Sequence, residues 1–173
     1  SITFLFYSIC NGLSVGAGIL VAQSFGAGLH KDVRKFIVNS AYVLFAVGIL
    51  ISVISTLVAE PVLRLLDTPL TVLPDAVNYM QINCIGTVAV AAYNWISAIL
   101  RSLGDSKTPL IFLIVASILN IILDIIFVLP LNMGVGGAAL ATIISQGISA
   151  VASIIFAIKE HTYFRLSRED FRF

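Results

Sequence analysis

The chain has 173 residues, of which 59% are hydrophobic and only 11% charged, with a mean hydropathy of +1.05. A soluble globular domain carries about 25% charged residues, so this composition excludes one and points to an all-α integral membrane protein. The net charge is +1, and no basic patch suggests a nucleic-acid partner.

Five segments reach the roughly twenty apolar residues that a spanning helix needs: 2–25, 36–59, 77–100, 109–131 and 137–158. The first begins at Ser1, without Met, and is longer than a signal-peptide core of about 7 to 15 residues, so the chain reads as an excised piece. Its Gly12, Ser14, Gly16, Ala17 and Gly18 permit close helix approach. Cys10 there and Cys84 in the third span are expected to be small buried hydrophobes. A polar turn at 26–35 leads into the second span. The connection 60–76 carries Glu60, Asp67 and Asp75 against Arg64, with Pro61, Pro69 and Pro74 as breakers. It is expected to cap the outer face, with Val62, Leu63, Leu65 and Leu66 either as a short interfacial helix or as plain loop. The turns 101–108 and 132–137 frame the fourth span, and a charged tail, 159–173, follows the fifth.

Lys31, Arg34, Lys35, Arg101, Lys107, Lys159, Arg165, Arg168 and Arg172 fall on one side of these spans, leaving Arg64 opposite. By the positive-inside rule the basic side is cytoplasmic. That places the chain in the cell membrane as a multi-pass protein with its tail inside. An odd number of spans with an external start fits a fragment lacking its first helix.

The fourth span holds a carboxylate, Asp124, in an otherwise apolar run, with Asn120 one helical turn away on the same face. An ionisable group there costs roughly 2.5 to 3.5 kcal/mol on insertion scales and usually faces a bundle interior or a watery cavity. Helix rise puts Asp124 about 10 Å, and Thr142 and Tyr79 about 8 Å, from the outer ends of their helices. Carboxylate, amide, hydroxyl and phenol at one level suit a small hard cation such as Na+, or a proton, equally well. Asn11, Gln23, Asn39, Gln81, Asn83, Asn94 and Gln146 also lie within spans; each could line a substrate cavity or join two helices, and Gln23, Asn83 and Asn94 are the cavity candidates. No span pairs Ser with His or carries His-Glu-x-x-His, and His30 and His161 lie in polar segments. An intramembrane enzyme is therefore not expected, nor any cofactor beyond the ion.

Three stretches carry a family resemblance: Ala22-Gln23-Ser24-Phe25-Gly26-Ala27-Gly28, Arg101-Ser102-Leu103-Gly104-Asp105-Ser106-Lys107-Thr108-Pro109 and Gly134-Val135-Gly136-Gly137-Ala138-Ala139-Leu140-Ala141-Thr142. Their order and spacing resemble the multidrug and toxic compound extrusion (MATE) transporters, with Ser102 standing where the family commonly has Gly. The resemblance implies a twelve-helix transporter of two six-helix lobes, of which residues 1–158 would be the second to sixth helices of the amino-terminal lobe, and 159–173 a cytoplasmic tail or inter-lobe linker. It further implies export of amphipathic or cationic small molecules in exchange for Na+ or H+. Asn120-x-x-x-Asp124 resembles the amino-lobe cation site of the DNA-damage-inducible branch, completed there by a hydroxyl matching Thr142, a tyrosine matching Tyr79, and an acid on the first helix.

On this reading the partners are membrane lipid, the substrate, the missing first helix and the carboxy-terminal lobe. Two other readings remain open from the residues. A lipid-linked oligosaccharide flippase of the same superfamily would want a cationic cavity, yet no Lys or Arg lies within the spans. A non-transporting scaffold would use its polar residues only as helix glue, worth about 0.6 kcal/mol each.

Overall fold

The structure, a computed structural model, describes residues 2–65, 69, 71–131 and 133–164. Leu66, Asp67, Asn132 and the tail's Arg165, Arg168 and Arg172 lie outside the described residues. Five helices form the bundle: α1 (Ile2–Gly26), α2 (His30–Leu65), α3 (Leu73–Ser102), α4 (Lys107–Val128) and α5 (Gly134–Glu160), followed by one 3-10 turn at Thr162–Phe164. All five helices are long and apolar enough to cross a membrane.

The central helix is α3, which packs against α1, α2 and α5, whereas α4 leans mainly on α5. Its last turns supply much of the core, with Ile96, Ile99 and Leu100 fully buried among Val21, Val33 and Ile37. Close approach to α3 depends on missing side chains. A Cβ on Gly18 of α1 would sit 3.3 Å from the Cβ and carbonyl oxygen of Ala98, and one on Gly86 would run into Ile143 of α5. In a membrane, where burial of apolar surface gives no advantage over lipid, such close packing is what holds helices together.

The helix boundaries shift from expectation by up to six residues, most at the two ends of α2, while α3 starts at Leu73 rather than 77, α4 ends at Val128 rather than 131 and α5 starts at Gly134 rather than 137. Helix α2 starts at His30 rather than at 36, because Val33 and Ile37 continue its buried stripe down through the basic residues. It also runs through Pro61 to Leu65, so the described part of the 62–66 stretch is a continuation of α2 and not a separate interfacial helix. Pro61 has no N–H to give the carbonyl of Leu57, but the turn beyond it is retained by packing: Leu63 and Val77 lie against buried Ala59, Met80 and Cys84. Glu60 and Arg64 add an ion pair of 2.7 Å one turn apart.

The first two motif stretches make the same turn. Gly28 and Gly104 take φ of 72° and 90°, a region in which L side chains are strained. The N–H that follows each reaches back to a helix carbonyl, Leu29 to Ser24 and Asp105 to Leu100, both at 2.9 Å, which ends α1 and α3 in Schellman fashion. The two turns and the end of α5 meet at one end of the bundle, where His161 contacts Asp105 and Tyr163 contacts His30. The described basic residues Lys31, Arg34, Lys35, Arg101, Lys107 and Lys159 lie on or beside the segments that meet there.

Candidate functional site

The α4–α5 turn fixes how these two helices face each other. A Cβ on Gly137 would lie 2.8 Å from the Cβ of Met133 and 3.1 Å from that of Phe127, so only glycine lets α5 start against the end of α4. The Met133 N–H donates to the Phe127 carbonyl at 3.0 Å and fixes the register. In that register Asn120 Nδ2 donates to Thr142 Oγ1 at 3.3 Å, while the Thr142 hydroxyl donates to the Ala138 carbonyl of its own helix at 3.1 Å. Asp124 sits one turn along α4 from Asn120 and is partly buried. Its Oδ1 is shielded from solvent and has no hydrogen-bond partner among the described residues. A shielded carboxylate oxygen without a partner, one helical turn from the Asn120–Thr142 hydrogen bond, is a demanding arrangement, since each unmet polar group in an apolar interior costs a few kcal/mol.

Thr142 also borders a hollow of about 300 Å3 between α1, α3 and α5, lined by Tyr7, Asn83, Gly86, Thr87 and Gln146 among others. Asn94 Nδ2 donates to the Tyr7 hydroxyl at 3.2 Å, and the Gln146 Oε1 is shielded and without a partner among the described residues. Asn83 and Asn94 therefore belong to one polar wall, and Thr142 connects that wall to Asn120.

The other two candidates stand apart. The Tyr79 side chain is 41% exposed; its carbonyl accepts from Asn83 Nδ2 at 2.9 Å, and its phenol makes no hydrogen bond to Asn120, Asp124 or Thr142 among the described residues. The depth estimate put Tyr79 at the right level, but depth does not specify azimuth, and α3 barely touches α4. Gln23 lies in a separate, mostly apolar groove of about 560 Å3 between α1 and α2, with Asn39, Gly12 and Gly16.

Sequence reasoning missed Tyr7 altogether and left Gln146 open between lining a cavity and joining two helices, without naming it among the cavity candidates. The i,i+4 step from Thr142 was the available signal for Gln146; nothing local marks Tyr7.

A bundle of five long apolar helices with a shielded carboxylate oxygen that has no partner among the described residues, and a polar hollow between three of its helices, has the build of a membrane transport protein. The MatE family model matches residues 1–126, and the chain belongs to that family of multidrug-resistance transporters. It is 38% identical over 150 residues to the probable multidrug resistance protein YpnP of Bacillus subtilis, covering 86% of this chain and 33% of that protein. It is 29% identical over 140 residues to DNA damage-inducible protein F of Escherichia coli, covering 81% of this chain and 30% of that one. Among solved structures, the inward-facing conformation of a MATE transporter of the MOP superfamily superposes with a TM-score of 0.89 at 26% identity, over 96% of this chain and 38% of that chain. The chain thus spans about a third of the length of the relatives it matches.

Proposed function

We propose that the protein containing this chain is a multidrug efflux antiporter driven by a cation, Na+ or H+, and that Asp124 holds that cation with Asn120 and Thr142. The observation that carries the reading is the unpaired Asp124 Oδ1 one turn from the Asn120–Thr142 hydrogen bond. A proton on that oxygen, or a small hard cation beside it, would meet the need that the protein leaves open, and amide and hydroxyl oxygens are suitable further ligands. Thr142 links the cation to the hollow of Tyr7, Asn83 and Gln146, where an amphipathic substrate would bind. A bound ion shifts a conformational equilibrium only by its differential affinity for the two states, so the α4–α5 pair is expected to alter its packing between them. The basic face would lie in the cytoplasm, the tail with it.

The test is ethidium efflux from cells carrying the full-length protein, wild type against Asp124→Asn, under an imposed Na+ gradient and then an imposed proton gradient. Efflux driven by one gradient and lost in the variant supports the reading and names the ion. Efflux equal in the variant under both gradients refutes it.

A further inference from the structure

We propose that residues 161–164 form a proton-sensitive clasp, in which His161 on Asp105 holds Phe164 between α2 and α5 more firmly when the imidazole is charged. This lies at the basic end of the bundle and uses none of the residues of the proposed cation site.

The geometry requires something at this position. Helices α2 and α5 do not pack directly against each other. Phe164, 6% exposed, joins the core cluster of Ile37 of α2, Trp95 of α3 and Ile154 of α5 and lines, with Ile158, a hollow of about 190 Å3 left between α2 and α5. The residues before it fasten it to both glycine turns. Tyr163 stands edge-on to Phe25 at 5.7 Å and shares a 2.6 Å hydrogen bond with His30 Nδ1. His161 Nε2 lies 3.2 Å from Asp105 Oδ2, while Asp105 Oδ1 accepts the Thr108 N–H at 3.0 Å at the start of α4. His161, Tyr163 and Phe164 thus tie the α1–α2 turn, the α3–α4 turn and the end of α5 together.

Imidazoles change charge near neutrality, and a charge-assisted hydrogen bond is roughly twice as strong as a neutral one. Burial pushes the Asp105 carboxyl up, but hydrogen bonds from the Thr108 hydroxyl and N–H and from His161, with the histidine's charge, outweigh it and hold the group below its usual value. Asp105 is therefore an anion wherever an imidazole titrates. A proton gained by His161 tightens the clasp, and its loss as the pH rises loosens it. The other charged groups on the elements that meet at the clasp are Arg101 and Lys107 flanking the α3–α4 turn, Lys159 and Glu160 on the end of α5, and His30, Lys31, Asp32, Arg34 and Lys35 at the start of α2. Asp105 is the one within ion-pair distance of His161 among the described residues. A proton on His30 has a different effect, converting the acceptor of the Tyr163 hydroxyl into a donor.

The experiment is hydrogen–deuterium exchange of the 159–164 segment in the full-length protein in lipid nanodiscs, corrected for the intrinsic pH dependence. It reads the amides of His161 and Phe164, which bond to Ala157 and His161 carbonyls at 2.9 and 3.1 Å. Protection is expected to be about fivefold higher near pH 5.5 than near pH 8, the scale of a partly exposed ion pair. The difference is expected to vanish in His161→Gln and to persist in His30→Gln. Flat protection in the wild type, or an unchanged pH slope in His161→Gln, overturns the proposal. Should His161→Gln also lose protection in α3, His161→Lys replaces it; high protection at both pH values supports the clasp, and low protection at both overturns it.

Discussion

The basic end of the bundle and the α4–α5 face use polar side chains in opposite ways. At the basic end the turn residues are paired, His161 with Asp105, Asp105 with Thr108 and Tyr163 with His30, and the one buried donor there without a partner among the described residues is the Nε of Arg34, a cation. Around α4 and α5 the pairing stops short, with Asn120 joined to Thr142 while Asp124 Oδ1 and Gln146 Oε1 have no partner among the described residues. A paired polar group is part of the scaffold. An unpaired one in an apolar interior raises the energy of the unliganded protein, and a ligand that meets it gains that energy back on binding.

Substitutions break this comparison at different strengths. The largest effect is expected for Asp124→Asn, which keeps shape and hydrogen-bonding capacity but loses the charge; efflux should fall more than tenfold while membrane insertion, read by protein level in the membrane fraction, stays unchanged. Next is Gly137→Val, which forces a side chain against Met133 and Phe127. Overpacking of this kind costs about 1 to 3 kcal/mol, to be read as a lowered melting temperature of the purified protein. Gly147→Ala is its control, since a Cβ there lies an ordinary 3.7 Å from Ala89 and should leave the melting temperature unchanged.

At the paired end, Asp105→Asn should cost about 1 kcal/mol through the Thr108 and His161 bonds. The sign with pH is fixed by the lowered Asp105 value. A depressed carboxyl stabilises the fold above its unfolded value and loses that contribution as the pH falls through its folded value, so wild type and variant should converge in strong acid, while at high pH the Thr108 share of the difference remains and the share from a charged His161 does not. The smallest effect is expected for the Asn120–Thr142 hydrogen bond. Asn120→Leu and Thr142→Val, combined in a double-mutant cycle on thermal stability, should couple by about 0.6 kcal/mol. That small coupling, set against a much larger loss of efflux from either variant, would separate helix glue from a ligand site.

The two regions also differ in how far they could be read from sequence. Five spans followed from run length alone, and Asn120, Asp124 and Thr142 from a cost in the membrane, a one-turn spacing and a common depth. Those are local quantities. Which neighbour a helix faces is not local: the Tyr79 phenol makes no hydrogen bond to Asn120 or Thr142 among the described residues, Gln23 lines the α1–α2 groove rather than the hollow, and Tyr7 borders the hollow from α1. The breakers misled for a related reason, since Pro61 marks an end of helix by local rules while Leu63 packing on Ala59 and Met80 carries α2 past it. The clasp was invisible because Phe164 looks like the start of a charged tail until α2 and α5 leave a gap for it.

The central claim is that Asp124 holds the coupling cation. Its most direct test is ion binding by the purified full-length protein in detergent, with 22Na+ retention and proton release on ligand addition measured side by side for wild type and Asp124→Asn. Retention of Na+ or release of a proton in the wild type, and its loss in the variant, is the result predicted. The same binding and release in both proteins would contradict the account.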